Sequence, residues 1–427
     1  MSSGEVFDYV IVGAGAAGCV LASRLSEDPA VSVCLIEEGG RDTSPLIHAP
    51  LGFAANASLG LNSHQYQSVP QPGLNGRRSY QPRGKVLGGS TSINAMMYVR
   101  GHPQDYDDWA ALGNPGWDHA SVLPYFKRAE NNEVFGGTEQ HGKGGPLNVK
   151  HLSDPSPANE AFLQACEAAG VPRVTDYNAS QPEGCWPTQV MQIAGERCSA
   201  ARAYLRLAEG RPNLQVITKA QVQRLAISAE RRASGVYVQQ GGQVRVVQAR
   251  REVLLAAGAF GSPKLLMLSG IGRGADLQAL GIGLTHESPG VGQNLQDHIT
   301  CNLTWRSPAG PDTFGVSLGG GAQMLLGIFQ WRRGKAPGPR PRKSPDCVER
   351  RAPARPCLRG RRSNAGQSAA PRPDRHWPGS PDHDCAGAAA LRGPCSHAPG
   401  AVCAHGRPRC RAASPARCRA AKAPAGC

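Results

Sequence analysis

The sequence predicts an α/β fold built on a parallel sheet, and three observations carry that expectation. An apolar run at 7–12 feeds a glycine-rich turn and then a helical stretch through Leu25. A second apolar run, 31–36, follows it closely. Much later, 213–227, 235–238 and 244–255 carry β-branched and aliphatic residues at strand spacing. Strand, helix and strand in that order make a βαβ unit, whose parallel strands are buried on both faces.

Residues 7–12 read as such a buried strand, with Asp8 the exception. They run directly into Gly13-Ala14-Gly15-Ala16-Ala17-Gly18, a G-x-G-x-x-G that opens the helix. Gly13 permits the tight turn out of the strand, Gly15 lets a pyrophosphate approach the backbone, and Gly18 lets the helix pack closely on the sheet. The helix N-terminus offers N–H groups and a positive dipole end to phosphate. Glu37 closes the second run, 24 residues after Gly13. There it can accept a hydrogen bond from a ribose hydroxyl, and its charge disfavours a 2′-phosphate. Strand, helix, second strand and acidic tip all sit where a Rossmann-like dinucleotide site needs them. The pattern does not choose between NAD and FAD.

Further along, 82–109 sets Gly, Ser and Thr before an apolar stretch, a loop suited to holding phosphate or a ring edge on backbone amides. The runs between 213 and 255, with Gly241-Gly242 as a turn, predict a β-meander that returns the chain to the first domain. In 258–272, Ser262 is the expected N-cap, Pro263 the first helical residue, Leu265, Leu266 and Leu268 the buried face, and Gly270 the stop. The residues leave that stretch open between architecture and direct contact with a cofactor.

The formal net charge of +15 would ordinarily suggest a polyanionic partner. Its location excludes that reading for the folded part. Residues 336–427 hold 18 Lys+Arg against 5 Asp+Glu, which leaves 29 basic and 27 acidic residues before them. Nothing in the near-neutral part argues for nucleic acid. Six scattered cysteines precede Ala336 and do not form a disulfide framework, so a reducing compartment suits them. No secretory leader is evident at MSSGEV, and no stretch approaches the ~18 apolar residues of a membrane span. A cytoplasmic location is expected, with peripheral membrane association left open.

With these elements in place, the longer motifs become informative. Gly84-Lys85-Val86-Leu87-Gly88-Gly89-Ser90-Thr91-Ser92-Ile93-Asn94, the stretch 258–272 (GAFGSPKLLMLSGIG), 195–218 and PGVGQNLQDH at 289–298 together resemble the glucose–methanol–choline (GMC) family of FAD-dependent oxidoreductases, in its choline-dehydrogenase-like bacterial branch. The likeness runs from about residue 5 to about 330. It implies an FAD-binding region at 1–300 with lid or insertion segments between 40 and 200, and the start of an α+β substrate domain at 301–335. It also implies FAD contacts at Val86, Gly89, Asn94, Ala95, Met96, Met97 and Val222, beside the fingerprint positions Gly13, Gly15, Gly18 and Glu37. The expected reaction is oxidation of the CH–OH group of a small primary alcohol, with hydride passing to flavin N5 and a histidine acting as general base. The electron acceptor stays open. A hydroxynitrile-lyase-type member, an inactive FAD-binding remnant and an NAD-dependent dehydrogenase are the other readings.

The resemblance places its base histidine and alkoxide-holding residue in the C-terminal part, which this chain replaces with other sequence, so no catalytic residue is assigned. Duller readings suit the remaining tempting residues. Asp297-His298 belongs beside the flavin rather than at a base. His376-Trp377 lacks the apolar, glycine-rich context of the family's histidine. Arg77-Arg78 and Arg332-Arg333 are surface charge, and Trp109 and Trp117 are expected in a core. Strand-like 301–305 and helical 324–331 would begin the substrate domain.

Residues 336–427 contain 15 Pro, one aromatic residue and almost no large aliphatics, too little apolar surface to offset the entropy of ordering them. They are expected to be disordered. A functional basic tail is one reading. A zinc or disulfide module on the eight cysteines is a weaker one, because no C-x-x-C pair occurs. The leading reading is a shifted frame of a GC-rich gene, which yields such Arg, Ala, Pro, Gly and Cys mixtures. Sequencing the gene across the Lys335 codon is expected to show an insertion or deletion; an intact frame would overturn this.

Overall fold

The computed structural model describes residues 5–153, 155–179, 183–297, 326–331 and 333. Strand β1 (Glu5–Val12) leads through the glycine turn into helix α1 (Ala16–Leu25) and back into β2 (Val33–Ile36). After a long excursion the chain returns as β3 (Leu214–Ile217), β4 (Gln221–Ile227), β5 (Ala233–Gln240) and β6 (Gln243–Leu255), and then enters α2 (Gly258–Leu268).

These six strands make one sheet in the order β4-β5-β6-β1-β2-β3. β1 lies at the centre, parallel to both β2 and β6, while β4, β5 and β6 pair antiparallel. The expected meander is therefore present, but it is continuous with the parallel sheet. The joint is β6, whose first half pairs with β5 and whose second half pairs with β1, Val12 opposite Leu255. Gly241 and Gly242 take the positive φ values of 58° and 83° that the tight β5–β6 turn requires.

Period-two alternation divides the core cleanly. Ile11, Val33 and Leu35 face α1 and pack with Cys19, Ala22 and the 200–204 segment. Val10, Val12, Cys34 and Ile36 face the other way, onto Ile217, Leu225, Val236, Val238, Val247 and Leu265. Asp8 is tolerated beside this core because its carboxylate accepts the Ser32 backbone N–H and hydroxyl, both at 2.8 Å. Those bonds, with the charges of Arg250 and Arg251, hold its pKa below the ordinary value against the effect of burial.

The excursion carries helices Pro103–Ala111, His119–Ala129 and Pro157–Ala168. It is held by a buried polar string. Glu130 and His141 are fully buried. Glu130 accepts from Arg100 Nη2 at 2.6 Å and from the Gly142 N–H at 3.0 Å, and lies 2.9 Å from His141 Nδ1. His141 Nε2 in turn lies 3.0 Å from Asp176. Tyr177 donates to the Tyr98 carbonyl at 2.5 Å, tying the string to the residues just after Met97. No described helix is long and apolar enough to cross a membrane.

Three local expectations are corrected. Helix α2 starts at Gly258, ahead of Ser262 and Pro263; the Ser262 hydroxyl accepts the Ala257 N–H at 3.1 Å from inside the helix, and Pro263 lies within it. Leu268 is 39 % exposed because it faces a cavity, whereas Leu265 and Met267 are buried. Gly270 does stop the helix, at φ +80°. Trp117 is 54 % exposed rather than in a core, packing its ring 5.7 Å from that of half-buried Trp109. Arg77 and Arg78 are exposed as expected. His298, 301–305, His376-Trp377 and the 336–427 tail lie outside the described residues.

Burial alone would raise the Glu130 pKa, but hydrogen bonds from His141, Asn132 and the Gly142 N–H, with the Arg100 charge, hold it below 4.5. A depressed folded-state pKa contributes stability that is complete above 4.5 and is lost as pH falls through the lower, folded value. Glu130→Ala is expected to cost about 3–5 kcal/mol, since it strands Arg100 and His141. The urea-midpoint gap between wild type and Glu130→Gln should narrow below pH 4.5; a gap independent of pH would refute the assignment.

Candidate functional site

Three glycine-bearing loops meet at the C-terminal end of the parallel strands. Gly13 has φ +97°, and a Cβ on it would lie 2.7 Å from the Ala256 carbonyl. A Cβ on Gly18 would lie 1.9 Å from the Gly13 carbonyl, so only glycine lets α1 start this close to β1. A Cβ on Gly89, itself at φ +53°, would meet Gly15 Cα at 2.7 Å. The third loop, Gly39-Gly40, presses on Lys85 and Val86: a Cβ on Gly39 would fall 2.0 Å from the Lys85 carbonyl. Backbone bonds lock the contact, from Gly88 N–H to Ala14 O at 2.7 Å and from Leu87 N–H to Gly40 O at 3.0 Å.

Gly15 differs from its neighbours. The nearest atom to a Cβ there is the Ala256 carbonyl at 3.9 Å, so its missing side chain leaves open space. It is also the N-cap of α1, with no side chain capping the first amides. Open space before an uncapped helix N-terminus suits an anion.

That space is part of a cavity of about 550 Å³. Gly13, Gly15, Glu37, Gly89 and Val222 line it, joined by Ala256 to Ser262 of the second motif. Gly18 and Val86 stand behind these walls rather than in them: Gly18 is buried against Gly13, and Val86, 1 % exposed, bridges to Gly40. Glu37 is almost fully buried and accepts the Ala14 N–H at 2.9 Å and the Gly39 N–H at 2.8 Å. Burial pushes its pKa up, and those two N–H groups oppose the rise. A further donor such as a sugar hydroxyl would stabilise the carboxylate in the same way.

The remaining predicted residues turn to a second space. Ala95, Met96 and Met97 line an open, largely apolar cavity of about 790 Å³ with Phe53, Phe162 and Trp186. Met96 is buried at φ +61°, and Met97 is 61 % exposed. Asn94 fixes the bend that divides the two spaces, its side-chain oxygen accepting the Met96 N–H at 3.1 Å. The predicted residues thus form two adjoining walls rather than one.

Some lining residues were not foreseen, and two of them, His64 and Tyr66, lie outside every motif. His64 and Tyr66 stack at 5.0 Å, Tyr66 and Phe260 lie 5.5 Å apart, and the Arg83 guanidinium sits 4.9 Å over Phe260. Lys264 also faces this cavity, so both cations suit an anionic ligand. Burial lowers the His64 pKa, with Glu38 opposing and Lys85 and Lys264 reinforcing that shift. Asp297 lies 3.6 Å from Arg83, which lines this cavity.

A sheet with a parallel centre whose first turn, second loop and later helix wall one cavity has the doubly wound architecture that binds dinucleotides. The GMC oxidoreductase family pattern matches residues 7–300, and the chain belongs to that family. It is 48 % identical over 293 residues to an oxygen-dependent choline dehydrogenase of Sinorhizobium medicae (strain WSM419), covering 68 % of this chain and 53 % of that protein. It is 43 % identical over 333 residues to an alcohol dehydrogenase [acceptor] of Pseudomonas putida, covering 76 % and 59 %. Among solved structures, pyridoxine 4-oxidase from Mesorbium loti superposes with a TM-score of 0.65 at 38 % identity, over 68 % of this chain and 57 % of that one. A formate oxidase from Aspergillus oryzae RIB40, studied for modification of its FAD, gives 0.65 at 30 % identity over 70 % and 53 %. The chain spans about half the length of the curated choline dehydrogenases it matches.

Gly18→Ala is expected to destabilise the protein by at least about 1–3 kcal/mol, because backbone must move to admit the methyl group. Gly15→Ala should melt within a few degrees of wild type. Equal losses from both substitutions would contradict this division of roles.

Proposed function

We propose that this chain binds FAD, and that the activity its architecture serves is oxidation of the CH–OH group of a small primary alcohol of the choline type. The observation that carries the reading is the shared cavity. The Gly13–Gly18 turn, the loop bearing Gly89 and the second motif around Phe260 wall one space, in a chain of the GMC oxidoreductase family.

The residues fit the group. Gly15 and the uncapped start of α1 would receive the pyrophosphate, with Arg83 and Lys264 of the same cavity lining supplying positive charge. Glu37 would accept from a ribose hydroxyl, and Val222, on strand β4 at the cavity wall, would lie against the adenine. Asn94, Ala95, Met96 and Met97 would run beside the ring system, on the wall facing the second cavity. FAD when bound supplies the two-electron acceptor for hydride from an alcohol carbon. The protein's share is to hold the cofactor, exclude water from its polar end and orient the alcohol. The apolar lining around Phe53, Phe162 and Trp186 suits the carbon body of a substrate.

No described residue is proposed as the general base. In the resemblance that role belongs to a histidine-bearing segment, and the sequence after Lys335 has no matching context. We therefore infer that the chain as written loads flavin but turns over alcohol poorly.

Purified protein mixed with FAD and desalted should retain flavin absorbance, and Gly15→Ala should weaken uptake by at least about tenfold while staying folded, a loss of about 1.4 kcal/mol. Well-folded, colourless wild-type protein would sink the assignment. Choline oxidation with a dye acceptor at an ordinary enzyme rate would overturn the inference of poor turnover and leave FAD binding intact.

A further inference from the structure

Arg197 is buried in a way that flavin binding alone does not explain. It is 1 % exposed and among the largest fully buried side chains. Its Nε donates to the Ile47 carbonyl at 2.8 Å. A single terminal nitrogen, Nη1, donates to the Thr91 carbonyl at 3.2 Å, the Asn94 carbonyl at 2.7 Å and the Asn94 side-chain oxygen at 2.8 Å. The other, Nη2, is buried with no hydrogen-bond partner among the described residues.

No carboxylate among the described residues forms an ion pair with this guanidinium. The adjacent Glu196 pairs with Arg202 instead. Burial brings the Arg197 pKa down to about 10, still well above neutrality, so the group is a cation at physiological pH. An unpaired buried charge is costly, and removing it for an apolar residue is often neutral or stabilising elsewhere. A cation kept without a counter-ion, at the bend between two candidate ligand cavities, fits a group whose counter-charge arrives with the ligand or its reaction. Arg197 grips both sides of that bend: Thr91 lines the first cavity, and Asn94 precedes the residues that line the second.

We propose that Arg197 is a positioning residue that fixes the Thr91–Asn94 bend and, as an uncompensated cation behind it, raises the electron affinity of the flavin held there. The proposal rests on the FAD-binding reading above. Two-electron reduction adds negative charge to the ring system, and a fixed positive charge in a poorly solvated site favours the reduced form. Arginine suits the task because its planar fork grips three carbonyls and a side-chain amide oxygen while its charge persists.

The test measures the reduction midpoint of the FAD-loaded full chain against a reference dye, in wild type, Arg197→Gln and Arg197→Lys. Arg197→Gln is expected to shift the ratio of reduced to oxidised protein by at least about tenfold toward oxidised, about 30 mV for a two-electron couple. Arg197→Lys keeps the charge but loses most of the hydrogen bonds, so it should hold flavin more weakly at a near-wild-type midpoint. Flavin-loaded Arg197→Gln with an unchanged midpoint would overturn the proposal and leave FAD binding standing. If Arg197→Gln does not load, Arg197→Lys decides: a wild-type midpoint supports the charge role, and a clearly more negative one overturns it. Failure of wild type to take up FAD would remove the underlying reading, and the proposal with it, before any variant is compared.

Discussion

The structure depends on backbone meeting backbone. Around the end of β1, the backbone is packed so closely that a single methyl group at Gly13, Gly18, Gly39 or Gly89 would overlap a carbonyl or an α-carbon lying against it. Side chains cannot fill such a junction, and hydrogen bonds between main-chain groups hold it instead. This compression brings the turn after β1, the tip of β2 and the loop ending at Asn94 to one edge of the sheet. Gly15 is the exception that gives the arrangement its use: it faces space, and its lack of a side chain keeps that space accessible.

The sheet and the first half of the site were legible from sequence because they rest on local, periodic signals. Continuous apolar runs marked the buried parallel strands, and the glycine spacing marked the turn, the helix start and the close helix packing. Other features were hidden because they arise from distant contacts. Nothing in the neighbourhood of His64 or Tyr66 marks them as cavity wall; they arrive there by stacking on each other and packing against Phe260. Arg197 falls in the 195–218 stretch, but its burial shows only when Ile47, Thr91 and Asn94 converge on it. Local rules also misplaced the start of α2. Ser262 and Pro263 look like a helix entrance, but the helix begins a turn earlier, where Ala257 packs on the sheet core and Phe260 on Tyr66.

Polar burial does two different things in this protein. In the excursion, Arg100, Glu130, His141 and Asp176 follow one another as hydrogen-bonded neighbours and satisfy one another, which pins segments far apart in sequence. At the bend near Asn94, one cation stands with neutral oxygens only. The first arrangement is what a scaffold requires. The second leaves a net local charge beside candidate ligand space, and this contrast separates a fastening from a tuning element.

The position of β6 has a consequence for how the chain comes to be folded. The central strand pair joins residues 5–12 to 247–255, so the most interior pairing links the first and last strands of this sheet in chain order. Closing so long a loop is entropically expensive and slow. During synthesis the first strand leaves the ribosome long before its partner exists, and its apolar face must stay unpaired or be shielded meanwhile. Assembly of the nucleotide-binding edge is thus a late event, timed by emergence of β6.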